Sequence, residues 1–352
     1  MATEAIGISK KEIRRQRRKR TKDRLPELTS DAFTLETVAA RVPELDGARQ
    51  ASAIEVVRAR STGRLTVRYV FPKGVIVYGK FYDDDLGPRA FEGLRALRQD
   101  GFGAASSCQV VEPLHFDERW NMLLLRQAEG VALCDSFEQA PLEEARGHAE
   151  LAASWLAKLH RTALPGVATE PPCERVKLFK LADALAKGAA ANPREADLLL
   201  NLLQRLRELA PSPDAPAPIA ITHGQYTPSN VFVAGTRTAV IDLDRLCYSD
   251  PAKDVAMFLY RLRFTGARNG AFERASIIAS SFLAQYRAEA AGNLVNLGFY
   301  RGLHSLRGLA KFLKDFSSGD ENYERQKQFY LREFEEAWQA VPAATASEER
   351  IQ

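Results

Sequence analysis

The chain has 352 residues, 45% of them hydrophobic, with a net charge of +4; this suffices for one large two-lobed domain or two ordinary ones, and excludes disorder throughout. Residues 1–25 hold ten Lys/Arg against Glu4, Glu12 and Asp23, a net of +7, while the remainder holds 39 basic and 42 acidic residues, which excludes a nucleic-acid clamp built into the globular part. Cys108, Cys134, Cys173 and Cys247 lack the spacing of a disulfide framework or zinc site, no apolar run approaches the roughly 20 residues that span a bilayer, and no secretory leader is recognisable, so a soluble, cytoplasmic protein is expected.

The basic extension, with "KKEIRRQRRKRTK" at its centre, is either a solvated tail or a contact for an anionic partner through counterion release. In "TSDAFTLETVAARV", Ser30 or Asp31 as N-cap and apolar Phe33, Leu35, Val38, Ala39 and Val42 predict an amphipathic helix. The runs "AIEVVRAR", "GRLTVRYVF" and "GVIVYGKFY", punctuated by "STG" and "PKG", predict a three-stranded antiparallel meander. "DDDLGPRAFEGLRALRQDG" predicts a helix with Pro88 near its first turn and Gly101 at its end. Two further strands are expected around "SSCQVVEPLHF" and "WNMLLLRQA", and helical periodicity dominates from "EGVALCD" to about Ala210. After the loop "PSPDAPAP" come two short β runs, "VFVA" and "AVIDLD", joined by "GTRT"; the chain is helical again from Asp254 to about Val341. The order is α+β: a small β-rich half, then a larger helical half.

Phosphoryl transfer needs a divalent metal held against phosphates, a cation on those phosphates and a positioned hydroxyl. Asn230 lies on the loop after "HGQYTPS", and Asp242 ends the run "TAVI" that returns across the hairpin "VFVAGTRTAVID". Such a hairpin brings an amide oxygen and a carboxylate within reach of one hard cation such as Mg²⁺. Taken singly, Asn230 reads as a turn residue and Asp242 as a cap; it is the pair that points to metal.

The segments "HGQYTPSNVFV" and "AVIDLDRLCYSDPAKDVA" resemble the catalytic and metal-binding segments of the aminoglycoside phosphotransferase and choline kinase superfamily, a branch of the protein-kinase-like fold. The family pattern is His-Gly-Asp, four residues, Asn, a strand ending Ile-Asp-x-Asp, then Asp-Pro-x-x-Asp. His223, Gly224, Asn230, Asp242, Asp244, Asp250, Pro251 and Asp254 match it; Gln225 does not. The resemblance implies a bilobal kinase-like fold with the basic extension at 1–25, a nucleotide-binding N-lobe at 26–127, a C-lobe with catalytic loop and acceptor site at 128–345, and a tail at 346–352, hinged near Gln127 to Gly130. It implies ATP and Mg²⁺ as cofactors, Asn230 and Asp242 on the metal, and Lys80 on the nucleotide phosphates, with Lys73 as the fallback. Glu92 becomes the ion-pair partner of Lys80, and Ser61, Thr62 and Gly63 the turn of a phosphate-covering hairpin that lacks a full GxGxxG. Asp254 anchors the catalytic loop through hydrogen bonds. Tyr260, Arg261 and Arg263 are candidates to face the acceptor, a small molecule with a hydroxyl group.

The departure at Gln225 bears on mechanism. In the family the aspartate accepts a hydrogen bond from the substrate hydroxyl. Gln225 has an acceptor oxygen but takes no proton near neutral pH, so it orients a nucleophile without acting as a general base. General-base help is worth ~10²–10⁴-fold, and metal and cation terms dominate a loose phosphoryl transfer. Three readings stay open: a kinase that is slower or uses another base, such as Asp244 or one from the substrate; a nucleotide-binding pseudokinase serving as regulator or scaffold; and a kinase-fold enzyme with altered transfer chemistry.

Overall fold

A computed structural model describes residues 19, 23–45, 50–59, 64–171, 174–212, 218–290, 294–316 and 323–340. Most of the basic extension, the turn Ser61–Gly63 and the tail 346–352 lie outside the described residues. The chain divides into two compact units, one running to Glu129 and including Ala239–Asp244, the other comprising Gly130–Thr238 and Arg245 onward.

The first unit is built on β1 (Ala53–Ala59), β2 (Leu65–Val70), β3 (Ile76–Phe81), β4 (Cys108–Val110), β5 (Pro113–Asp117) and β6 (Met122–Arg126). Five of these form an antiparallel sheet in the order β1-β2-β3-β6-β5. The meander forms because its strands alternate: Leu65, Val67 and Tyr69 of β2 and Val77, Gly79 and Phe81 of β3 are buried, with their neighbours facing outward. The buried face joins a core that includes Phe33, Val38, Leu45 and Leu124, each full burial of this kind being worth about 1.5–3 kcal/mol. Thr66 pairs with Lys80 in the β2–β3 register, which places Lys80 on the opposite, polar face.

Two expectations for this unit change in detail. The amphipathic helix at Ser30 to Val42 is a broken run: Ser30 caps it by accepting from the Phe33 amide at 3.2 Å, but the α-helical turn Asp31–Phe33 widens to a π turn at Thr34–Val38 and tightens to 3₁₀ at Ala39–Arg41. The Thr34 hydroxyl bonds the Ser30 carbonyl at 2.9 Å and competes with the regular ladder there. Where two strands were expected between Ser106 and Ala128 there are three, because a short break after Val110 separates β4 from β5. Helix α1 (Leu86–Leu97) forms as expected, and the chain turns at Gly101 with φ +87°.

The second unit contains β7 (Val131–Ala132), α2 (Leu133–Gln139), α3 (Leu142–Arg161), α4 (Glu174–Ala191), α5 (Ala196–Glu208), β8 (Ala220–Thr222) and β9 (Val231–Ala234). Strand β10 (Arg237–Val240) carries the chain back to the first unit, and β11 (Cys247–Ser249), α6 (Ala252–Arg268), α7 (Phe272–Glu289), α8 (Leu297–Asp315) and α9 (Tyr323–Gln339) complete the second. The long amphipathic helices bury their apolar stripes on one another, α3 on α7, and α8 on α4, α6 and α9. A two-stranded ribbon pairs Thr222 with Cys247 and Ala220 with Ser249. Three-residue strands carry too little alternation to be read in advance. A column of rings, Trp155 on Tyr226 at 5.6 Å, Tyr226 on Phe258 at 5.4 Å and Phe258 on Phe282 at 4.0 Å, runs through the core beside the loop that follows β8.

Candidate active site

In the first unit, strand β3 ends at Phe81 and its outward alternation presents Lys80, followed by Tyr82. The segment Ala239–Asp244 brings two carboxylates to these side chains. The Lys80 ammonium donates to Asp242, and to Asp244 Oδ1 at 2.7 Å; the Tyr82 hydroxyl donates to the same Asp244 oxygen at 2.8 Å. Arg64, which precedes β2, donates from Nη1 to Asp244 Oδ2 at 3.0 Å and lies with its guanidinium 5.9 Å from the Tyr82 ring centre. Asp244 is 3% exposed, a depth at which a carboxylate needs both charge partners and hydrogen bonds. It has two cations and a hydroxyl. Burial and the Asp244 charge push the Tyr82 phenol well above its ordinary value, so it stays a donor.

The backbone supports this cluster. Asp242 has φ +68°, a left-handed conformation that a short polar side chain tolerates better than most. The regular strand therefore stops at Val240, and not at Asp242 as the run "TAVI" suggested. Tyr82 is fixed by reciprocal bonds with Asn121, its amide to the Asn121 carbonyl at 3.0 Å and its carbonyl from the Asn121 side chain at 3.1 Å.

In the second unit, the loop after β8 is organised around Asp254, buried near the start of α6. Its carboxylate accepts from the His223 amide at 2.6 Å and the Tyr226 amide at 3.4 Å, and its Oδ2 lies 3.5 Å from His160 Nε2. His160 is held in turn by the Tyr286 hydroxyl at 2.7 Å from Nδ1. Burial pushes the Asp254 carboxyl up, but His160 and His223 outweigh it and hold the group below its ordinary value. Gly224 has φ +74°, and a Cβ there would meet the Arg245 carbonyl at 2.7 Å, so the loop needs glycine at this point. Gln225 follows, half-buried, with no hydrogen bond from its side chain to another described residue. Asn230 closes a 3₁₀ turn, Pro228–Asn230, and its Nδ2 donates to the Gln225 carbonyl at 3.1 Å. That bond leaves Oδ1 as the atom a hard cation can use.

The sequence-predicted residues are thus distributed as follows. Lys80, Asp242 and Asp244 meet in the first unit; Gln225 and Asn230 share one loop in the second. Glu92 does not reach Lys80: it lies on the solvent face of α1 and pairs with Arg95 at 3.5 Å, because the buried stripe of that helix runs through Ala90, Gly93, Leu94 and Leu97. Lys73 sits exposed in the β2–β3 turn. Asp244 is not an open base, since both its oxygens are engaged by Lys80, Tyr82 and Arg64. Tyr260 and Arg263 are core residues: Tyr260 stacks on His304 at 5.7 Å, and Arg263 pairs with Glu333 and with Glu336 at 2.7 Å. Only Arg261 of that trio is exposed. Gly63 lies outside the described residues.

Arg64, Tyr82, His160 and Tyr226 were not singled out from the sequence. Tyr82 had a signal, since it stands two residues beyond Lys80 and so on the same side of an extended chain. Arg64 holds the matching place two residues before Thr66, legible only once the register is known.

Among the described residues no three His, Cys, Asp or Glu side chains form a metal cage. A Mg²⁺ ion that takes one or two carboxylates and completes its shell with water and substrate phosphates requires none; Asp242 in the first unit and Asn230 in the second each carry an oxygen donor of the type it uses. No helix among the described residues is long and apolar enough to cross a membrane.

The model of the phosphotransferase enzyme family matches residues 82–292, more than half of the chain. No curated protein matches the sequence. Among solved structures, a choline kinase from Cryptosporidium parvum Iowa II is similar over 87% of this chain and 96% of its own, with a TM-score of 0.55 at 11% identity. A spectinomycin phosphotransferase in complex with ADP and spectinomycin is similar over 82% and 89%, with a TM-score of 0.53 at 15% identity. A macrolide 2'-phosphotransferase from Brachybacterium faecium covers 85% and 98%, with a TM-score of 0.51 at 17% identity. These likenesses extend to the fold.

Proposed function

Because the chain belongs to the phosphotransferase enzyme family, we propose that it transfers a phosphoryl group from ATP to a hydroxyl of a small molecule. The observation that carries this reading is the meeting of Lys80 with Asp242 and Asp244 across more than 160 residues of sequence. A half-buried lysine held between two carboxylates is a costly way to fill a space that an apolar residue could fill. As half of a phosphate and metal site it has a purpose. That the spectinomycin phosphotransferase of the same fold was solved with ADP supports a nucleotide at the corresponding place.

In this reading Lys80 binds the nucleotide phosphates, and Asp242 and Asn230 supply oxygen ligands for Mg²⁺. The metal, when bound, neutralises phosphate charge. Gln225 accepts a hydrogen bond from the acceptor hydroxyl through Oε1 and sets its line of approach. It removes no proton, so deprotonation comes late, as a loose transition state permits. Asp254, by holding the His223 and Tyr226 amides, fixes the loop that carries Gln225. The N-lobe at 26–127 and C-lobe at 128–345 are the nucleotide and acceptor portions in this account, working in solution in the cytoplasm, and the basic extension is open to an anionic partner.

Gln225 itself favours a second reading, a pseudokinase that binds nucleotide without turnover. Calorimetry with Mg·ATP on the wild type and on Asp242→Ala tests the site. Binding whose magnesium dependence is lost in the variant supports it, and an unaltered Asp242→Ala removes the metal assignment. Release of ADP upon addition of a hydroxyl acceptor then separates the kinase from the pseudokinase.

A further inference from the structure

We infer that Arg64 is a second phosphate-binding cation of the nucleotide site, placed beside Lys80 to grip the polyphosphate of the nucleotide. The inference rests on the proposed nucleotide site but adds a residue that lies before the stretch matched by the family model, which begins at residue 82.

Four observations lead to it. First, Arg64 and Lys80 converge on one acceptor: Arg64 Nη1 is 3.0 Å from Asp244 Oδ2 and Lys80 Nζ is 2.7 Å from Asp244 Oδ1. Two cations that share one carboxylate are close enough to share one polyphosphate. Second, the β2–β3 register makes this structural. Thr66 pairs with Lys80, so Arg64, two residues before Thr66, and Tyr82, two residues after Lys80, come to the same end of the hairpin. Third, Arg64 is aimed. Its guanidinium lies 5.9 Å from the ring centre of Tyr82, which is 1% exposed and tied to Asp244 by its hydroxyl. A guanidinium lying over a fixed ring loses little freedom when it binds a pair of oxygens.

Fourth, the charges suit a further anion beside a bound metal. Arg64 and Lys80 face Asp242 and Asp244, with Asp84 at 3.8 Å from Arg64. Were Asp242 and Asp244 to hold a divalent cation, Lys80 and Arg64 would share those carboxylates with it, and a triphosphate would offer both side chains further oxygens, with Asp84 still beside Arg64. The fork of Arg64 matches two phosphate oxygens at once, which the point charge of Lys80 does not. Arg64 also remains 22% exposed at its side chain, so it is reachable from solvent.

The test is calorimetry on the full chain with Mg·ATP, Mg·ADP and adenosine, for the wild type, Arg64→Met, Arg64→Lys and Arg68→Met. Arg68 lies on β2, half-buried like Arg64, and pairs with Glu55 instead of Asp244. Loss of a charge-assisted contact predicts an Mg·ATP Kd raised about 10- to 100-fold in Arg64→Met, a smaller rise for Mg·ADP, and no change for adenosine or in Arg68→Met. Arg64→Lys falls between. Arg64→Met binding Mg·ATP within about twofold of the wild type overturns the inference and leaves the proposed function standing. Equal losses for Mg·ATP and adenosine also overturn it, because damage to the fold would then explain both. A wild type that binds no Mg·ATP at millimolar concentration removes both readings together. Should Arg64→Met fail to fold, labelling of wild-type arginines with phenylglyoxal decides: Mg·ATP protects Arg64 and adenosine does not, and labelling unaffected by Mg·ATP overturns the inference.

Discussion

Replacing Gly224 by alanine puts a methyl group where the loop has no room for one. The backbone there has φ +74°, and the added Cβ would lie 2.7 Å from the Arg245 carbonyl oxygen and 2.8 Å from the Arg245 Cβ. Two costs add. A non-glycine residue in the left-handed region costs about 1–2 kcal/mol, and forcing a methyl into occupied space costs about 1–3 kcal/mol more. The loop cannot rotate away cheaply, because the amides of His223 and Tyr226 on either side are bound to Asp254. Gly235→Ala isolates the first cost, since Gly235 has φ +58° and nothing within 4 Å of its Cβ position. Urea unfolding followed by tryptophan fluorescence is the assay; Trp155 stacks on Tyr226 and reports on this loop. Gly224→Ala should lose about 2–5 kcal/mol, exceeding Gly235→Ala by about 1–3 kcal/mol with an unchanged m value. Equal losses in the two variants would refute the argument, because they would mean that the Arg245 backbone yields freely.

Asp254→Asn should destabilise the chain by about 3–5 kcal/mol, since one of two buried acceptor oxygens becomes a donor facing an amide; thermal melts at neutral pH measure it. The wild-type carboxyl is held below its ordinary value, so its contribution is present above the unfolded pKa and lost as pH falls through the lower folded one. Asp254→Asn should therefore flatten the acid limb of the stability profile below about pH 4. His304 acts over a higher window. Burial, with Arg307, Arg261 and Lys177 nearby, lowers its imidazole to about 3, so the unfolded chain binds a proton below about pH 6.5 that the folded chain refuses. Stability should fall as pH drops from about 6.5 towards 3, by up to about 4 kcal/mol, and His304→Phe should remove that slope; an identical slope in the variant contradicts it. Gln225→Asp should raise the rate of phosphoryl transfer, by no more than the ~10²–10⁴-fold of a general base, or leave it unchanged. A fall in single-turnover rate would show that the amide is required.

The parts of the fold that could be read in advance are those in which a local period coincides with burial. The β-rich runs announced the meander of β1 to β3, and the apolar stripes of α3, α5, α7 and α8 announced themselves. What was not legible depends on partners far along the chain. Arg263 was a candidate to face an acceptor because the resemblance put acceptor residues on the helices after Asp254, yet it is buried and paired with Glu333 and Glu336 on α9. Glu92 failed for a phase reason: one position on α1 separates the solvent face from the face on the sheet, and cap residues did not fix that phase. Asp244 was legible as a neighbour of Asp242, but not as the meeting point of three donors, because Arg64 and Tyr82 stand 180 and 162 residues away from it.

The membership of Ala239–Asp244 in the first unit sets an order of events during synthesis. Lys80 leaves the ribosome 162 residues before Asp242, and Val111 leaves long before Val240, whose carbonyl its amide binds at 3.0 Å. Until then the five-stranded sheet holds two cations with no counter-charge from this segment. Contacts of such separation form slowly, and α2 to α5 are all synthesised before Asp242 and Asp244 are available to Lys80 and Arg64. A fragment that stops at Glu129 would contain every strand of the five-stranded sheet and still lack Asp242 and Asp244, the carboxylates that Lys80 and Arg64 bind.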